Sequence, residues 1–383
     1  PNLSIGQDGI LPYSSLPKSK ALGIKYLSEE NKMSKTILQI LTTCIVVSIS
    51  FGNGKATGLV AAKYAGEFIT LGVGAQALGM GGAFVAVAND VTAGYWNPAG
   101  LLSIEHPQLI LMHADCFAGI VKYDYGSLAL PFGKKRCLAV SLIRLGVDDI
   151  HVTELIDPSK PVGAEIIDDN GRIVRNTPYI LKTISDAEYA FYLTYSRRKT
   201  DTFSYGGNIK LIRKGVGDNS AWGIGFDLGV LFNPVANLRV GANFQDMTST
   251  LLAWNTDTGR KELILPTLKT GVAYPFTINF PFGSGFGKVT PAFDVDIRFE
   301  NRRSAAQSHL GRVSFDFHAG LEFWYLNVLA LRIGSADVGK FSAGAGIKLP
   351  QLNLDYAFMS HNELGDTHRI SLKVSIEKAR LKK

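Results

Sequence analysis

A two-residue period of hydrophobicity dominates the chain from Gln108 to Ile376. Between residues 313 and 323 the odd positions, from Val313 to Phe323, are apolar, whereas the even positions are polar or small. Successive side chains of a strand point to opposite faces, so this pattern predicts a strand with one apolar face. The same alternation recurs in about fourteen segments, and the chain is therefore predicted to be all-β. The segments lie at roughly 108–115, 118–131, 135–147, 186–198, 202–215, 219–232, 236–247, 265–275, 288–300, 311–324, 326–333, 338–349, 351–360 and 367–378.

A soluble sandwich would also alternate, so strand length and end residues decide between a sandwich and a membrane barrel. Several segments exceed ten residues, as tilted membrane strands of about 9–11 residues do, whereas ordinary strands have about 5–6. No stretch reaches the ~18 consecutive apolar residues of a membrane helix. The segments therefore favour a transmembrane antiparallel β-barrel of about 14 strands, an even number as in bacterial single-chain barrels, with twelve and sixteen strands as the alternatives. Aromatic residues suited to interfacial girdles recur near segment ends, at Tyr189, Tyr195, Trp222, Phe232, Tyr274, Phe299, Trp324 and Tyr325.

Composition and charge exclude several other classes of function. The 40 basic and 33 acidic residues leave a net charge of +7, which is spread over turns, so no nucleic-acid partner is expected. Three cysteines without a CxxC pair predict neither a disulfide framework nor a zinc site. The seven histidines include no HExxH motif, so no metal site is expected. Without a catalytic cluster the chain is predicted to be no enzyme and to carry no cofactor.

The N-terminal region resembles an export signal that starts late. From Met33 a basic residue, Lys35, is followed by an apolar core at 37–51 and by small residues that suit cleavage near Ala56. This pattern predicts a signal peptide at 33–56 and a non-native upstream extension at 1–32. An exported barrel belongs in the outer membrane of a Gram-negative bacterium. The remaining chain is predicted to comprise an N-terminal segment at 57–104, a β-barrel at 105–378 and a basic tail at 379–383.

The stretch from Glu67 to Leu102 does not alternate and is rich in glycine. Its order, LGVGAQALGMGGAFVAVA and then YWNPAGL, together with the closing THRISL at 367–372, resembles the PorV/PorQ family within the FadL-like outer-membrane barrels. The resemblance implies a fourteen-stranded barrel with the N-terminal segment, residues 57–104, folded inside the lumen as a plug or hatch. A GxGxxG/A pattern beginning at Gly72 also fits a nucleotide-binding turn, but the strand alternation downstream contradicts that fold. The residues assigned to the hatch are Gly72, Gly74, Gly79, Gly81, Gly82, Asn97, Pro98 and Ala99.

Two functions of different class follow from the resemblance. PorV-type barrels serve the type IX secretion system, which implies binding or shuttling of exported cargo and partners among the secretion proteins. FadL-type barrels transport long-chain fatty acids and other hydrophobic small molecules, which is the alternative. The secretion role is preferred, because the quoted motifs are closer to those of the PorV/PorQ family. Long connections at 150–184 and 249–265 are predicted as external loops. The residues expected to contact cargo there, or alternatively to fold over the barrel mouth as a lid, are Tyr179, Leu251, Leu252 and Trp254.

The C-terminus departs from the pattern of outer-membrane barrels, which commonly end on an aromatic residue. This chain runs from Ile376 through EKARLKK. The sequence therefore predicts that the last strand is recognised internally or that residues 379–383 extend into the periplasm.

Overall fold

The computed structural model describes residues 59–61, 66–117, 119–168, 170–256, 259–279, 285–300, 302, 306–336, 340–360 and 365–376. The predicted upstream extension, the signal peptide and the basic tail lie outside the described residues. Among the described helices none is long and apolar enough to cross a membrane.

The chain forms one closed antiparallel barrel of fourteen spanning strands, which confirms the predicted fold class. Some spanning strands consist of more than one segment, because β9 pairs with both β10 and β11, and β15 pairs with both β13 and β14. The strands are β1 (Leu59–Ala61), β2 (Gln108–Cys116), β3 (Val121–Phe132), β4 (Arg136–Leu155), β5 (Glu165–Ile167), β6 (Ile173–Arg175), β7 (Pro178–Arg198), β8 (Phe203–Val216), β9 (Asn219–Phe232), β10 (Arg239–Gln245), β11 (Thr250–Trp254), β12 (Lys261–Ile264), β13 (Thr267–Ala273), β14 (Phe276–Asn279), β15 (Phe286–Arg298), β16 (Ser308–Leu310), β17 (Val313–Tyr325), β18 (Leu329–Ala336), β19 (Lys340–Lys348), β20 (Leu352–Met359) and β21 (Thr367–Ser375).

Pairing of the first and last spanning strands closes the barrel. Gln108 of β2 faces Ser375 of β21, and the ladder continues to Asp115 and His368. The longest described connections, 156–177 and 299–312, lie at one end, whereas the connections 133–135, 326–328 and 349–351 at the other end are short. Outer-membrane barrels have long external loops and short periplasmic turns. The end that carries the short turns is therefore the periplasmic end.

The outer face of strands β2 to β9 shows where the membrane lies. One row of outward residues runs directly across β2, β3, β4, β7, β8 and β9 near the external end, and it is polar or aromatic. The next rows towards the periplasm are exposed and mainly apolar, as at Leu142, Phe191 and Leu211. This apolar belt fits a hydrocarbon core, because only lipid would cover so many exposed aliphatic side chains. The polar row consists of His113, Asp124, Arg144, Tyr189, Arg213 and Trp222.

Residues 66–104 lie inside the barrel and are almost wholly buried. Their backbone turns repeatedly, and the four helices are too short to bury a face of their own. Small residues and glycines with positive φ, such as Gly81 and Gly82, allow this compact course. We call this segment the hatch. Its helices are α1 (Glu67–Thr70), α2 (Ala75–Gly79), α3 (Ala93–Trp96) and the 3₁₀ helix η1 (Pro98–Ser103).

The two predicted external loops are largely strands, so these predictions were wrong in extent. Strand β4 continues to Leu155 and β7 begins at Pro178, which leaves the loop 156–177 with a small hairpin of β5 and β6. Within 249–265 the segments β11 and β12 pair with each other. Turn residues indicated loops in both regions, but the backbone groups pair in ladders there: β4 with β7 beyond the polar row, and β11 with β9 and β12. Trp324, predicted for the outer girdle, lies on the inward side of β17 with the Arg332 guanidinium 5.4 Å from its ring centroid.

Candidate functional site

The hatch has an aromatic centre of its own. The Trp96 ring meets Phe84 and Tyr95 edge to face, at centroid distances of 6.1 and 5.0 Å. The Trp96 Nε1 donates a hydrogen bond to the carbonyl of Val73 at 2.8 Å, and the Tyr95 hydroxyl donates to the carbonyl of Ile69 at 2.6 Å. The hatch therefore holds its fold through contacts between its own distant turns as well as through the wall.

Wall side chains bind the backbone of the hatch. A carboxylate oxygen of Asp294 on β15 accepts hydrogen bonds from the amides of Phe84 and Val85, at 2.6 and 2.7 Å. Irregular backbone inside a barrel leaves N–H and C=O groups that need partners, and inward polar side chains supply them. The hatch is thus tied to the wall around its circumference. Further ties join Ser371 to Ala75, His318 to Gly81, Arg369 to Leu71, Asn208 to Gly94, Asn243 to Trp96 and Ser196 to Pro98.

Asn97 joins the hatch to itself and to the wall. Its side-chain amide donates to the carbonyl of Val85 at 2.9 Å and to the carbonyl of Val230 on β9 at 3.0 Å. Its Oδ1 accepts from the amide of Ala99 at 3.2 Å and so caps η1, with Pro98 at the first helical position. The side chain is fully buried. The structure thus shows a physical role for the Asn97-Pro98-Ala99 triplet.

Glycines of the wall face the hatch where the two backbones approach each other. A Cβ built on Gly241 of β10 would lie 2.6 Å from the carbonyl oxygen of Val85, and one on Gly206 of β8 would lie 2.8 Å from the carbonyl carbon of Pro98. Gly334 of β18 lies against Met80 and Gly81 in the same way. Of the glycines predicted for the hatch, Gly81 meets the wall at Ser335 and Gly79 meets Gly344. Sequence reasoning did not single out the wall glycines, which carry no local signal that distinguishes them from other strand glycines.

Ion pairs line the rest of the lumen. Lys210 lies 2.8 Å from carboxylates of both Asp227 and Asp246. Arg332 binds Glu322 at 2.7 Å and Asp355 at 2.8 Å. Buried charges of this kind need paired partners, which these clusters provide. Further pairs join Lys269 with Asp296 and Arg298 with Asp316.

Asp90 of the hatch pairs with a cation of the wall. One carboxylate oxygen accepts a hydrogen bond from Lys373 Nζ at 2.6 Å, and the other accepts from the Thr92 amide at 2.9 Å. Burial acts to raise the pKa of Asp90, but the Lys373 charge and the hydrogen bonds from Lys373 and Thr92 outweigh it and hold the pKa below its usual value. Asp90 is therefore a charged tie between hatch and wall at neutral pH.

The wall has a seam near its external end, between β12 and β15. The ladder of β13 with β15 ends at Thr267 and Arg298. Beyond that point β12 pairs with β11 on one edge and with β1, in parallel, on the other. In the part of the chain that the structure describes, β12 and β15 form no ladder with each other. We call this interruption the seam.

A small cavity of about 40 Å³ lies behind the seam. Hatch residues of α1 border it on one side, and Ile264 and Glu300 border it on the other. This space holds a water molecule and little more. A Cβ on Gly66 would lie 3.0 Å from Ile264 Cγ2, so the start of α1 closes against the wall. The seam is closed from inside by the hatch.

The residues predicted to contact cargo do not form a common loop surface. Tyr179 lies on β7 and is exposed, and Leu251 lies on β11 and is also exposed. Leu252 points into the barrel and is fully buried, because strand alternation turns it away from Leu251. Trp254 is half-buried, at the end of β11. The placement of Leu252 in an exposed loop was wrong, since a strand runs where a loop was predicted.

The described residues contain no cluster of three or more histidine, cysteine or acidic side chains arranged to hold a metal ion. Cys116 and Cys137 are buried and free.

Comparisons with known proteins bear on the fold. No family model and no curated protein match the chain. The toluene transporter TbuX of Ralstonia pickettii is similar in structure, with 13% identity over 80% of this chain and 99% of that chain and a TM-score of 0.50. The toluene transporter TodX of P. putida has 11% identity over 80% of this chain and 99% of that chain, with a TM-score of 0.46. A FadL homologue of Pseudomonas aeruginosa has 12% identity over 78% of this chain and 96% of that chain, with a TM-score of 0.45.

The closed fourteen-stranded wall and the likeness to TbuX define the class of this protein. It has the fold of TbuX, a closed antiparallel β-barrel of the kind that spans the outer membrane of Gram-negative bacteria, and its apolar belt fits such a membrane.

Proposed function

We propose that this barrel transports small hydrophobic molecules across the outer membrane, with the hatch as its gate. The preference for a secretion carrier stated above gives way to this alternative, because TbuX, a toluene transporter, has the same fold. The observation that carries the proposal is the seam closed by α1. An apolar molecule dissolved in the membrane or entering from outside would reach the lumen there once α1 moved away from Ile264.

The polar ties between hatch and wall suit a gate. They are many and individually modest, since a hydrogen bond contributes about 0.5–1.5 kcal/mol net. Local rearrangement of α1 breaks few of them, because the ties of Phe84, Val85 and Asn97 lie elsewhere in the hatch. The hatch could thus open at the seam and remain seated in the lumen.

An engineered disulfide tests this route. Gly66→Cys with Ile264→Cys joins α1 to β12 where the two already touch. Uptake of toluene, and separately of a long-chain fatty acid, is measured in proteoliposomes with and without reductant. We expect the oxidised pair to lower uptake about tenfold and reduction to restore it, while the two single cysteine variants remain unaffected. Equal uptake by the oxidised and reduced pair would exclude the seam as the route, and wild-type uptake no faster than in empty vesicles would overturn the transport proposal itself.

A second candidate function is the binding of exported cargo, as in the PorV/PorQ family. One observation favours it. Strands β4 and β7 continue beyond the polar row as a two-stranded ribbon, on which Tyr179, Ile180 and Leu181 are all about half exposed. Exposed aromatic and aliphatic side chains of this kind can anchor a protein partner.

A pull-down with cargo that carries a C-terminal sorting domain tests the second candidate. Tyr179→Ala with Leu181→Ala should weaken capture, and Leu310→Ala, at an exposed position in the external connection between β15 and β17, is the matched comparison. Capture that is absent in the wild type, or unchanged in the ribbon variant, would count against cargo binding.

A further inference from the structure

A basic cavity lies on the outer surface of the wall, at the periplasmic end of the apolar belt. It has a volume of about 320 Å³ and is lined by Phe132, Lys134, Lys135, Arg136, Tyr195 and Arg197. Four of the six side chains are cationic, two are aromatic and none is acidic. All six are exposed. We call this feature the basic cavity.

The strand ladders determine its depth in the membrane. Arg136 of β4 pairs directly with Phe132 of β3 and with Arg197 of β7, so the three lie in one row. The polar row at the external end passes through Arg144, eight residues further along the same strand. At about 3.3 Å per residue and a tilt of about 40°, the two rows are roughly 20 Å apart, close to the height of the apolar band in such barrels.

The row directly above the basic cavity is apolar and aromatic. It contains Leu130, Leu138 and Tyr195, which pair in register across β3, β4 and β7. These side chains are exposed to the acyl region. The basic cavity therefore lies where the headgroup phosphates of the periplasmic leaflet lie, with hydrocarbon immediately above it.

Among the described residues, the cations of the basic cavity have no carboxylate in an ion pair with them, unlike cations elsewhere on the barrel. At the external row Arg144 binds Asp124 at 3.1 Å, and Lys122 lies 3.7 Å from Asp148. In the described part of the chain no carboxylate forms an ion pair with Arg136 or Arg197. Arginine presents several donors in a planar fork that matches a phosphate, and it does so best when no carboxylate competes.

We propose that the basic cavity binds the phosphate headgroup of an anionic phospholipid in the periplasmic leaflet. Arg136 and Arg197, adjacent on neighbouring strands, hold the phosphate, and Lys134 and Lys135 of the connecting turn approach it from the periplasmic side. Phe132 and Tyr195 lie beside the glycerol and the first part of the acyl chains, as aromatic residues do at membrane interfaces. A juxtamembrane basic cluster of this kind attracts anionic lipid through the same electrostatics. The site is independent of the hatch and of the proposed transport route.

Native mass spectrometry of the detergent-solubilised barrel tests the proposal. The double variant Arg136→Gln, Arg197→Gln is compared with Arg172→Gln, Arg175→Gln, which removes the same charge from the external hairpin. The lipids are phosphatidylglycerol and phosphatidylcholine, added in equal amounts. We expect the wild type and the hairpin variant to retain one phosphatidylglycerol about tenfold better than phosphatidylcholine, and the double variant to lose that preference.

A further variant and a competition experiment complete the test of lipid binding. Lys134→Gln with Lys135→Gln changes only the turn, and it should reduce the preference by about threefold even if the double variant folds poorly. Inorganic phosphate, added in tenfold excess over lipid, should leave the bound phosphatidylglycerol in place. A wild type that binds both lipids equally, double and wild-type proteins with the same preference, or displacement of the lipid by inorganic phosphate would each overturn the proposal.

Discussion

At the scale of single residues, glycines and buried polar groups decide how the hatch meets the wall. A strand that faces a packed backbone has no room for a Cβ atom, and Gly206, Gly241 and Gly334 supply that room. The same contacts leave hatch amides and carbonyls near inward side chains such as Asp294, which satisfy them. Close approach and hydrogen bonding are therefore two consequences of one arrangement.

Gly334→Ala should loosen the hatch without unfolding the wall. The added Cβ would overlap the backbone of Met80 and Gly81, and neither can retract like a flexible side chain. We expect a loss of about 1–3 kcal/mol in hatch docking, the usual cost of overpacking. Hydrogen exchange of amides 79–85 measures it. Gly126→Ala is the matched control, because its Cβ would come no closer than 3.5 Å to a neighbouring atom, Leu111 Cδ2. Equal exchange in the two variants would contradict the prediction.

The Asp90 tie should respond to acid only at low pH. Its folded-state pKa lies below the usual value of 3.8, so the stability it contributes is present above about pH 3.8 and is lost as pH falls through the folded pKa. We expect the protease resistance of the hatch to show no Asp90-dependent change between pH 8 and pH 5. Below about pH 3.8 the wild type should approach the behaviour of Asp90→Asn, which isolates this group from other carboxylates. A difference between the two proteins that already disappears at pH 6 would be inconsistent with a lowered pKa.

At the scale of elements, the hatch and the seam are complementary. Short helices of four to six residues cannot be stable alone, so the hatch depends on the barrel for its fold. In turn, a fourteen-stranded lumen is too wide for inward side chains alone to fill. The hatch fills it, and α1 covers the place where the β13–β15 ladder stops.

Deletion of residues 67–102 should open the pore. The remaining strands keep their ladders, and the inward charges then line a water-filled channel. We expect single-channel conductance in planar bilayers to rise from a small value to that of an open channel, by about tenfold or more. Heat-modifiable migration in gels verifies that the deleted protein is still a folded barrel. Unchanged conductance of a folded deletion variant would show that the hatch does not block the lumen.

At the scale of the whole molecule, the outer face of the barrel wall suits lipid and the inner face suits a polar lumen. Outward positions in the belt are apolar and exposed, and inward positions at the same depth are charged and paired. Phe317 shows the outward side: it is exposed and stacks on Phe293 at a centroid distance of 6.2 Å. Water solvates the charged side chains of the lumen well and the exposed apolar side chains of the outer face poorly. The fold therefore requires lipid or detergent.

Phe317→Arg should destabilise the barrel in lipid, because a cation on the lipid face costs about 2–4 kcal/mol if its position is near the midplane and less towards the interfaces. Urea titration of the protein folded into phospholipid vesicles measures the change. Leu310→Arg is the control, because Leu310 lies in the external connection between β15 and β17 and is exposed beyond the belt. Equal destabilisation of the two variants, or folding of the wild type in water without lipid or detergent, would contradict a membrane barrel.

Alternation along the chain determined much of this protein by itself: the all-β class, the approximate number of spanning strands, and which side chains of β17 face lipid. It could do so because the direction of a side chain in a strand depends only on local backbone geometry. Prediction failed where turn residues, which are a local signal, are compatible with either a loop or a strand. Turn residues near 249–265 indicated a loop, yet Leu252 lies in a strand and points into the lumen.

Only the tertiary structure decided how the hatch and the seam are built. Asp294 meets Phe84 across 210 residues of sequence, and Arg369 meets Leu71 across 298. In the sequence the wall glycines do not differ from other strand glycines, and only their contact with the hatch backbone shows their role. The seam exists because β1 occupies the edge of β12 that β15 leaves free. Such pairings depend on closure of the barrel, which brings distant strands together around one segment, and no local pattern of residues records that closure.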